Sequence, residues 1–262
     1  MKNVALVPGV LGFERIGPVH YFNGVAEDLN ATFNGRVRAV AFKTHPLGTV
    51  EDRAAYVAEQ ITATFRDEEV HIFAHSMGGL DARFLVARKI SPAASQVKSI
   101  TAIGTPHNGS PVATLLNRLN LLDGLSPLAA LFPRVDSILD ELKTKLNALH
   151  DLSTEAAVSF NAQCPDQPGV NYHEVVGLSR AASPHTSLPF RLPFGFLQSH
   201  GLDSDGVVPV SSATRPGRDP LESWPGDHAD LVGHDLDHGA TGKPAFFDYL
   251  SGYRRLVEKV VL

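Results

Sequence analysis

Cysteine is almost missing from this chain: Cys164 is the single one in 262 residues. An intramolecular disulfide is therefore excluded, and Cys164 reads as a structural loop residue, because no elbow-like turn surrounds it. Long apolar runs are missing too. None approaches the roughly 18 residues that cross a bilayer, so no transmembrane segment is expected. Met1 to Pro8 lacks an extended apolar stretch followed by a small-residue cleavage site. No signal peptide is expected on that ground; secretion without one, a cytoplasmic home and a trimmed mature form are not distinguished by it. Positive charge is scarce. Lys and Arg number 23 against 28 Asp and Glu, a net charge of −5, and no basic block stands out. That balance argues against nucleic acid as a partner. No internal repeat, low-complexity tract or interdomain linker interrupts the chain. Its 43% hydrophobic content supports one large folded unit spanning 1–262.

What is present is an alternation of strand and helix patterns. Asn3 to Val7 is a short apolar strand. His20 to Leu29 has helical spacing at Tyr21, Val25 and Leu29, and Arg36 to Phe42 reads as the next strand. Glu51 to Phe65 carries Ala54, Val57, Ala58, Ile61 and Phe65 on one helical stripe. Val70 to Ala74 and Val97 to Ile103 are further apolar strands, and Tyr172 to Val176 another. Leu152 to Gln163 reads as a helix capped by Ser153 or Thr154, Ser183 to Ser199 as a surface or pocket-rim loop, and Pro244 to Leu262 as a closing amphipathic helix with Phe247, Leu250, Leu256, Val257 and Val260 inward. Strands alternating with helices predict an α/β fold with a mostly parallel central sheet covered on both faces. Functional residues then belong at the carboxyl ends of the strands.

One such end is chemically distinctive. Ala74-His75-Ser76-Met77-Gly78-Gly79-Leu80 runs from an apolar strand through a sharp turn into a helical pattern. A serine in a strained strand-to-helix turn among small residues is the nucleophile elbow of α/β-hydrolases. Pro8-Gly9-Val10-Leu11-Gly12-Phe13 follows the first strand and is the kind of loop that supplies an oxyanion-hole amide. The two donors would be the backbone N–H groups of Val10 and Met77. A serine nucleophile also needs a base and an acid that orients it, in the order serine, acid, histidine in this fold. Asp205 is the preferred acid because it abuts Gly206 ahead of an apolar run; Asp203 reads as a turn former. His228, His234 and His238 compete as the base, with His228 favoured by its loop setting before Leu231-Val232. His107, in Gly104-Thr105-Pro106-His107-Asn108-Gly109-Ser110, precedes any candidate acid and reads as structural or pocket-lining.

Between about 112 and 165 the pattern changes. Leu115, Leu116, Leu119, Leu121, Leu122, Leu125, Leu128, Leu131 and Phe132 crowd together, broken by Asp123-Gly124 and Ser126-Pro127. A leucine-rich, interrupted helical insertion suits a lid over an apolar pocket.

Taken together, Val7 to Phe22, Ala74 to Leu80, Ile103 to Ser110, Leu152 to Ala157, Asp205 to Val208 and His228 to Asp230 resemble, in order, the signatures of bacterial true lipases of the Pseudomonas, Burkholderia and Proteus type. The resemblance implies an α/β-hydrolase with a helical lid that hydrolyses acylglycerol esters at an oil–water interface. Ser76, Asp205 and His228 would be its triad and Val10 and Met77 its oxyanion donors. Pro8 stands where the family usually has His, and Ala74 where it often has Gly. The family's structural calcium would take Asp230 as a ligand. However, His234 replaces an amide ligand, and no carboxylate between Glu174 and Asp203 supplies the distant one. The expectation is a chain that requires no cofactor. The alternatives are an esterase for shorter soluble esters and, from another class, a non-catalytic binding protein of the same fold. Oligomeric state is not readable from the sequence.

Overall fold

The structure is a computed structural model that describes residues 1–10, 15–16, 19–46, 48–90, 92–119, 150–180, 186–236 and 247–262. Six strands form the central sheet: β1 (Lys2–Val7), β4 (Val37–Ala41), β5 (Val70–His75), β6 (Val97–Ile103), β7 (Asn171–Gly177) and β8 (Glu222–Trp224). Their order is β4-β1-β5-β6-β7-β8, and every pairing is parallel. A separate two-stranded ribbon, β2 (Arg15–Ile16) with β3 (Val19–His20), follows the first strand. The expected α/β architecture is therefore present, with β8 as an added short strand.

Alternation along each strand divides the core. Val4, Leu6 and Phe73 face α1 (Val25–Phe33) and α9 (Tyr249–Val260), where Val25, Leu29, Tyr253 and Leu256 meet them. Ala5, Val7, Ile72 and Ala74 face α2 (Val50–Phe65) and α3 (Gly78–Ala87), against Ala54, Val57, Ile61 and Leu85. Fully burying a Leu or Ile of this kind contributes roughly 1.5–3 kcal/mol. Helix α2 begins at a reciprocal cap: Thr49 accepts from the Asp52 amide, and the Asp52 side chain accepts from the Thr49 amide.

Two expectations are corrected. The helix expected from His20 starts at Val25, after a left-handed Gly24; Tyr21 precedes it and turns toward the sheet's carboxyl edge instead. The loop expected over Ser183 to Ser199 holds a 3-10 turn, Leu188–Phe190, and α7 (Arg191–Ser199). Pro189 and Pro193 lie in first turns, where a missing N–H costs nothing. Between α3 and α7 along the chain lie α4 (Ala93–Gln96), α5 (Pro111–Leu119) and α6 (Thr154–Gln163), the last capped by Ser153; α8 (Val210–Ala213) lies between α7 and α9. Cys164 is buried at the end of α6. The segment 120–149, the middle of the expected lid, lies outside the described residues, as do His238 and positions 244–246 of the expected closing helix.

The outer strand β8 is tied to α9 by Glu222. Its carboxylate accepts from Trp224 Nε1 at 2.7 Å, Arg255 Nη2 at 2.9 Å and Lys259 Nζ at 2.9 Å. Partial burial pushes this carboxyl up, but the three donors outweigh it and hold it down at about 2. A group depressed in the folded state stabilises above its ordinary value and loses that contribution as pH falls through the folded one. Glu222→Gln is therefore expected to lower the melting temperature at pH 7, with the deficit against wild type shrinking from about pH 4.5 toward pH 2. A deficit constant across that range contradicts the assignment.

Candidate active site

The chain starts at β1, steps outward to β4, and returns on the other side of β1 to form β5. Successive connections leave in opposite directions there, so a crevice opens at the carboxyl ends of β1 and β5. Pro8-Gly9-Val10 leaves β1 on one side of it and Ser76 leaves β5 on the other.

Ser76 sits at φ +54°, a strained conformation for a residue with a Cβ. Neighbours hold it there. Its N–H donates to Ile103 O at 2.9 Å, and Thr105 Oγ1 donates to its carbonyl at 2.8 Å. The space around the turn requires glycine. A Cβ on Gly78 would stand 2.6 Å from Val7 O, and one on Gly79 would collide with Thr105 Oγ1. Ala74 stays in regular strand, paired with Val7 and Ala102, so a methyl is tolerated where Gly-x-Ser-x-Gly has its first glycine. Met77 follows as the N-cap of α3, and its N–H belongs to the unpaired first turn of that helix.

The loop after β1 is fixed by a buried cation. Arg53 Nη2 donates to Pro8 O at 2.9 Å and to Gly9 O at 3.0 Å; Nη1 donates to His45 O. Asp81, on α3, balances the charge with Oδ2 2.8 Å from Arg53 Nη2, and both side chains are fully buried. Burial pushes the Asp81 carboxyl up to about 6 against the pull of Arg53. A trans peptide sets its N–H opposite its C=O. With Gly9 O drawn to Arg53, the Val10 N–H turns away from it. Val10 packs against the apolar cluster that contains Met77 and Leu80. Gly9 is the close-approach point: a Cβ there would stand 2.6 Å from Ser76 Cβ and 2.7 Å from Tyr21 Oη.

Asp205 and His228 arrive from the other edge. Gly177 ends β7 against Asp205, and Gly104, just after β6, lies against Asp205 and His228; a Cβ on Gly104 would lie 3.1 Å from Asp205 Oδ2. Asp205 Oδ1 accepts from the Val207 and Val208 amides at 3.0 and 2.7 Å. Its Oδ2 lies 2.6 Å from His228 Nδ1, and His228 N donates to Asp205 O at 2.8 Å. A carboxylate so placed accepts, so Nδ1 carries the proton and Nε2 is the basic nitrogen. His228 meets the ring of His75 at 4.5 Å and that of Phe190 edge-on at 6.4 Å.

The other candidates fall elsewhere. Asp203 accepts the Val210 amide through its backbone carbonyl, as expected of a turn former. His107 faces Arg83, with Nη1 3.2 Å from Nδ1, and burial followed by that cation pushes its imidazole well below the usual range. Its neighbour Asn108 clamps the acid loop by donating to Ser211 O and Thr214 O. Asp230 accepts the Asp227 amide at 2.9 Å, and His234 Nε2 donates to the carbonyls of His20 and Tyr21. A nitrogen that donates to two carbonyls is not an oxygen ligand of the kind calcium takes, so His234 does not stand in for the amide ligand. Arg53, Asp81, Thr105, Tyr21 and His75 were not anticipated. Arg53 left one signal, a charge four residues before Val57 on the apolar stripe of α2.

Since reacting groups displaced by about 1 Å can lose about 10²-fold in rate, Gly9→Ala is expected to lower kcat on a soluble nitrophenyl ester by that order, with KM little changed. Wild-type kcat in this variant contradicts the close approach.

The chain is similar to known proteins over most of its length. A family model described as a thioesterase domain matches residues 6–162. Over 262 aligned residues the chain is 26% identical to a protein of Pseudomonas fragi named triacylglycerol lipase, covering 88% of this chain and 87% of that one. Among solved structures, the mature form of the Bacillus licheniformis lipase BlEst2 superposes with a TM-score of 0.66 at 24% identity, over 88% of this chain and 86% of that one. A metagenomic carboxyl esterase, MGS0156, superposes with 0.72 at 18% identity, over 98% and 76%. The family match spans more than half of the chain and takes in the β1 loop and the Ser76 elbow. The chain belongs to the thioesterase-domain family of α/β-hydrolases, and it is a hydrolase of the lipase and esterase type.

Proposed function

We propose that this hydrolase is a serine-nucleophile lipase that cleaves carboxylic ester bonds of acylglycerols through an acyl-enzyme. The observation that carries the reading is the Asp205–His228 bond of 2.6 Å at the same sheet edge as a serine held at positive φ. The similarity to the Pseudomonas fragi triacylglycerol lipase over 88% of the chain supports the substrate class, as does the ordered run of motifs that resembles bacterial true lipases.

His228 Nε2 takes the proton of Ser76 Oγ as the oxygen attacks the ester carbonyl. The carbonyl oxygen becomes an oxyanion held by the N–H groups of Val10 and Met77; losing one such donor costs roughly 2.7–4 kcal/mol. His228 then protonates the departing alkoxide, which leaves an acyl group on Ser76. Water, deprotonated by the same nitrogen, attacks that ester, and the acid is released with Ser76 Oγ reprotonated. Asp205 holds the ring's orientation and stabilises its charged form. The chemistry uses the chain's own groups and requires no cofactor.

A short-chain esterase shares every step, so substrate size separates the two. Ser76→Ala is expected to abolish hydrolysis of nitrophenyl esters. In the wild type, an acyl series from acetyl to oleoyl should rise in rate with chain length and jump above the solubility limit. Full activity in Ser76→Ala contradicts the nucleophile. A maximum at acetyl or butyryl with no jump contradicts the lipase.

A further inference from the structure

We propose that Tyr21 and His75 form a positioning pair that joins the oxyanion loop to the histidine base. The inference rests on the reading above and adds two residues to it. The Tyr21 hydroxyl accepts the Gly9 N–H at 2.9 Å and lies 2.8 Å from His75 Nδ1. Both are buried hydrogen bonds, and they meet on one oxygen. His75 in turn sets its ring 4.5 Å from that of His228, tilted by 43°. The loop that would bind the oxyanion and the ring that would move the proton are thus joined by three contacts, with Tyr21 and His75 between them. They are connected through a single phenol.

Each member is suited to that place. Arg53 holds both carbonyls of Pro8-Gly9, and Tyr21 holds the Gly9 amide, so the backbone polar groups of that dipeptide are bound on both sides. Burial pushes the Tyr21 phenol well above its usual range, so it keeps its proton and remains a neutral partner. Burial, followed by the neighbouring His228, pushes the His75 imidazole well below its usual range. The titratable groups acting on His75 are Tyr21, His228 and His234; Arg53 and Asp81 act on Tyr21. A neutral ring beside His228 does not repel the imidazolium that forms when Ser76 loses its proton, whereas a charged one would. Phe190 also meets the His228 ring, edge-on at 6.4 Å. The base thus has as neighbours an apolar ring and a neutral polar one whose orientation Tyr21 sets.

Three variants and a double test this. Tyr21→Phe removes one oxygen and leaves the packing. His75→Leu fills the ring's space without a polar atom. His75→Asn puts an amide atom where Nδ1 stood and can restore the bond to Tyr21. On a soluble nitrophenyl ester, Tyr21→Phe and His75→Leu are expected to lower kcat by about tenfold, short of the 10²-fold of a larger misplacement, with KM within about twofold. His75→Asn should stay within about threefold of wild type. The double Tyr21→Phe/His75→Leu should be no slower than its slower single, since both break one connection. Melting temperatures measured alongside separate this from loss of fold, and if His75→Leu fails to fold, Tyr21→Phe decides alone. Wild-type kcat in Tyr21→Phe, equal impairment of His75→Asn and His75→Leu, or multiplicative losses in the double overturns the pair. Ser76→Ala, run in parallel, keeps the two readings apart. Its inactivity beside a fully active Tyr21→Phe removes only the pair, while its full activity removes the site.

Discussion

The buried pair of Arg53 and Asp81 is the constraint on which the site depends. Taking both charges out of water is expensive, and a buried ion pair often stabilises no more than apolar residues of the same volume. Its value here lies in what the guanidinium does with its remaining donors. They reach across from α2 to the carbonyls of Pro8, Gly9 and His45, while Asp81 anchors the cation from α3. One planar group therefore ties the helix that follows Ser76 to the loop that leaves β1. Lysine could offer the charge but not the fork.

Sheet topology explains why these pieces meet. The reversal between β4-β1 and β5-β6 opens the crevice, and each strand beyond it delivers one more part at its carboxyl end. Strand β5 delivers Ser76, and β6 delivers Gly104 and Thr105. Gly177 of β7 touches Asp205, and the segment after β8 carries His228. Glycine recurs at these ends because neighbouring chains approach to within a side chain's width. Asn108 and Ser110 complete the frame by fastening the β6 loop to the acid loop, Ser110 Oγ donating to Val207 O at 2.9 Å.

Much of this could be read in the residues beforehand. Apolar runs located the parallel strands because buried strands need side chains on both faces, and β6 falls at Val97–Ile103 as expected. Helix α2 was evident from its stripe. Short elements were not. Three residues of β8 carry too little pattern, and α7 was hidden by prolines that a first turn accepts. For the site, Asp205 was legible through its glycine turn, and the structure brings it to His228. Tyr21, His75 and Arg53 were not, since each acts across tens of residues of chain on a backbone atom or a ring. Spacing encodes periodicity within one element, and it is silent about such pairings.

The most direct measurement is a crystal structure of the enzyme after reaction with a long-chain alkyl phosphonate. The account predicts a phosphorus–oxygen bond at Ser76 Oγ, with the phosphoryl oxygen about 2.7–3.1 Å from the Val10 and Met77 nitrogens and His228 Nε2 against the ester oxygen. An adduct on another residue, or one whose phosphoryl oxygen faces away from both amides, would contradict it.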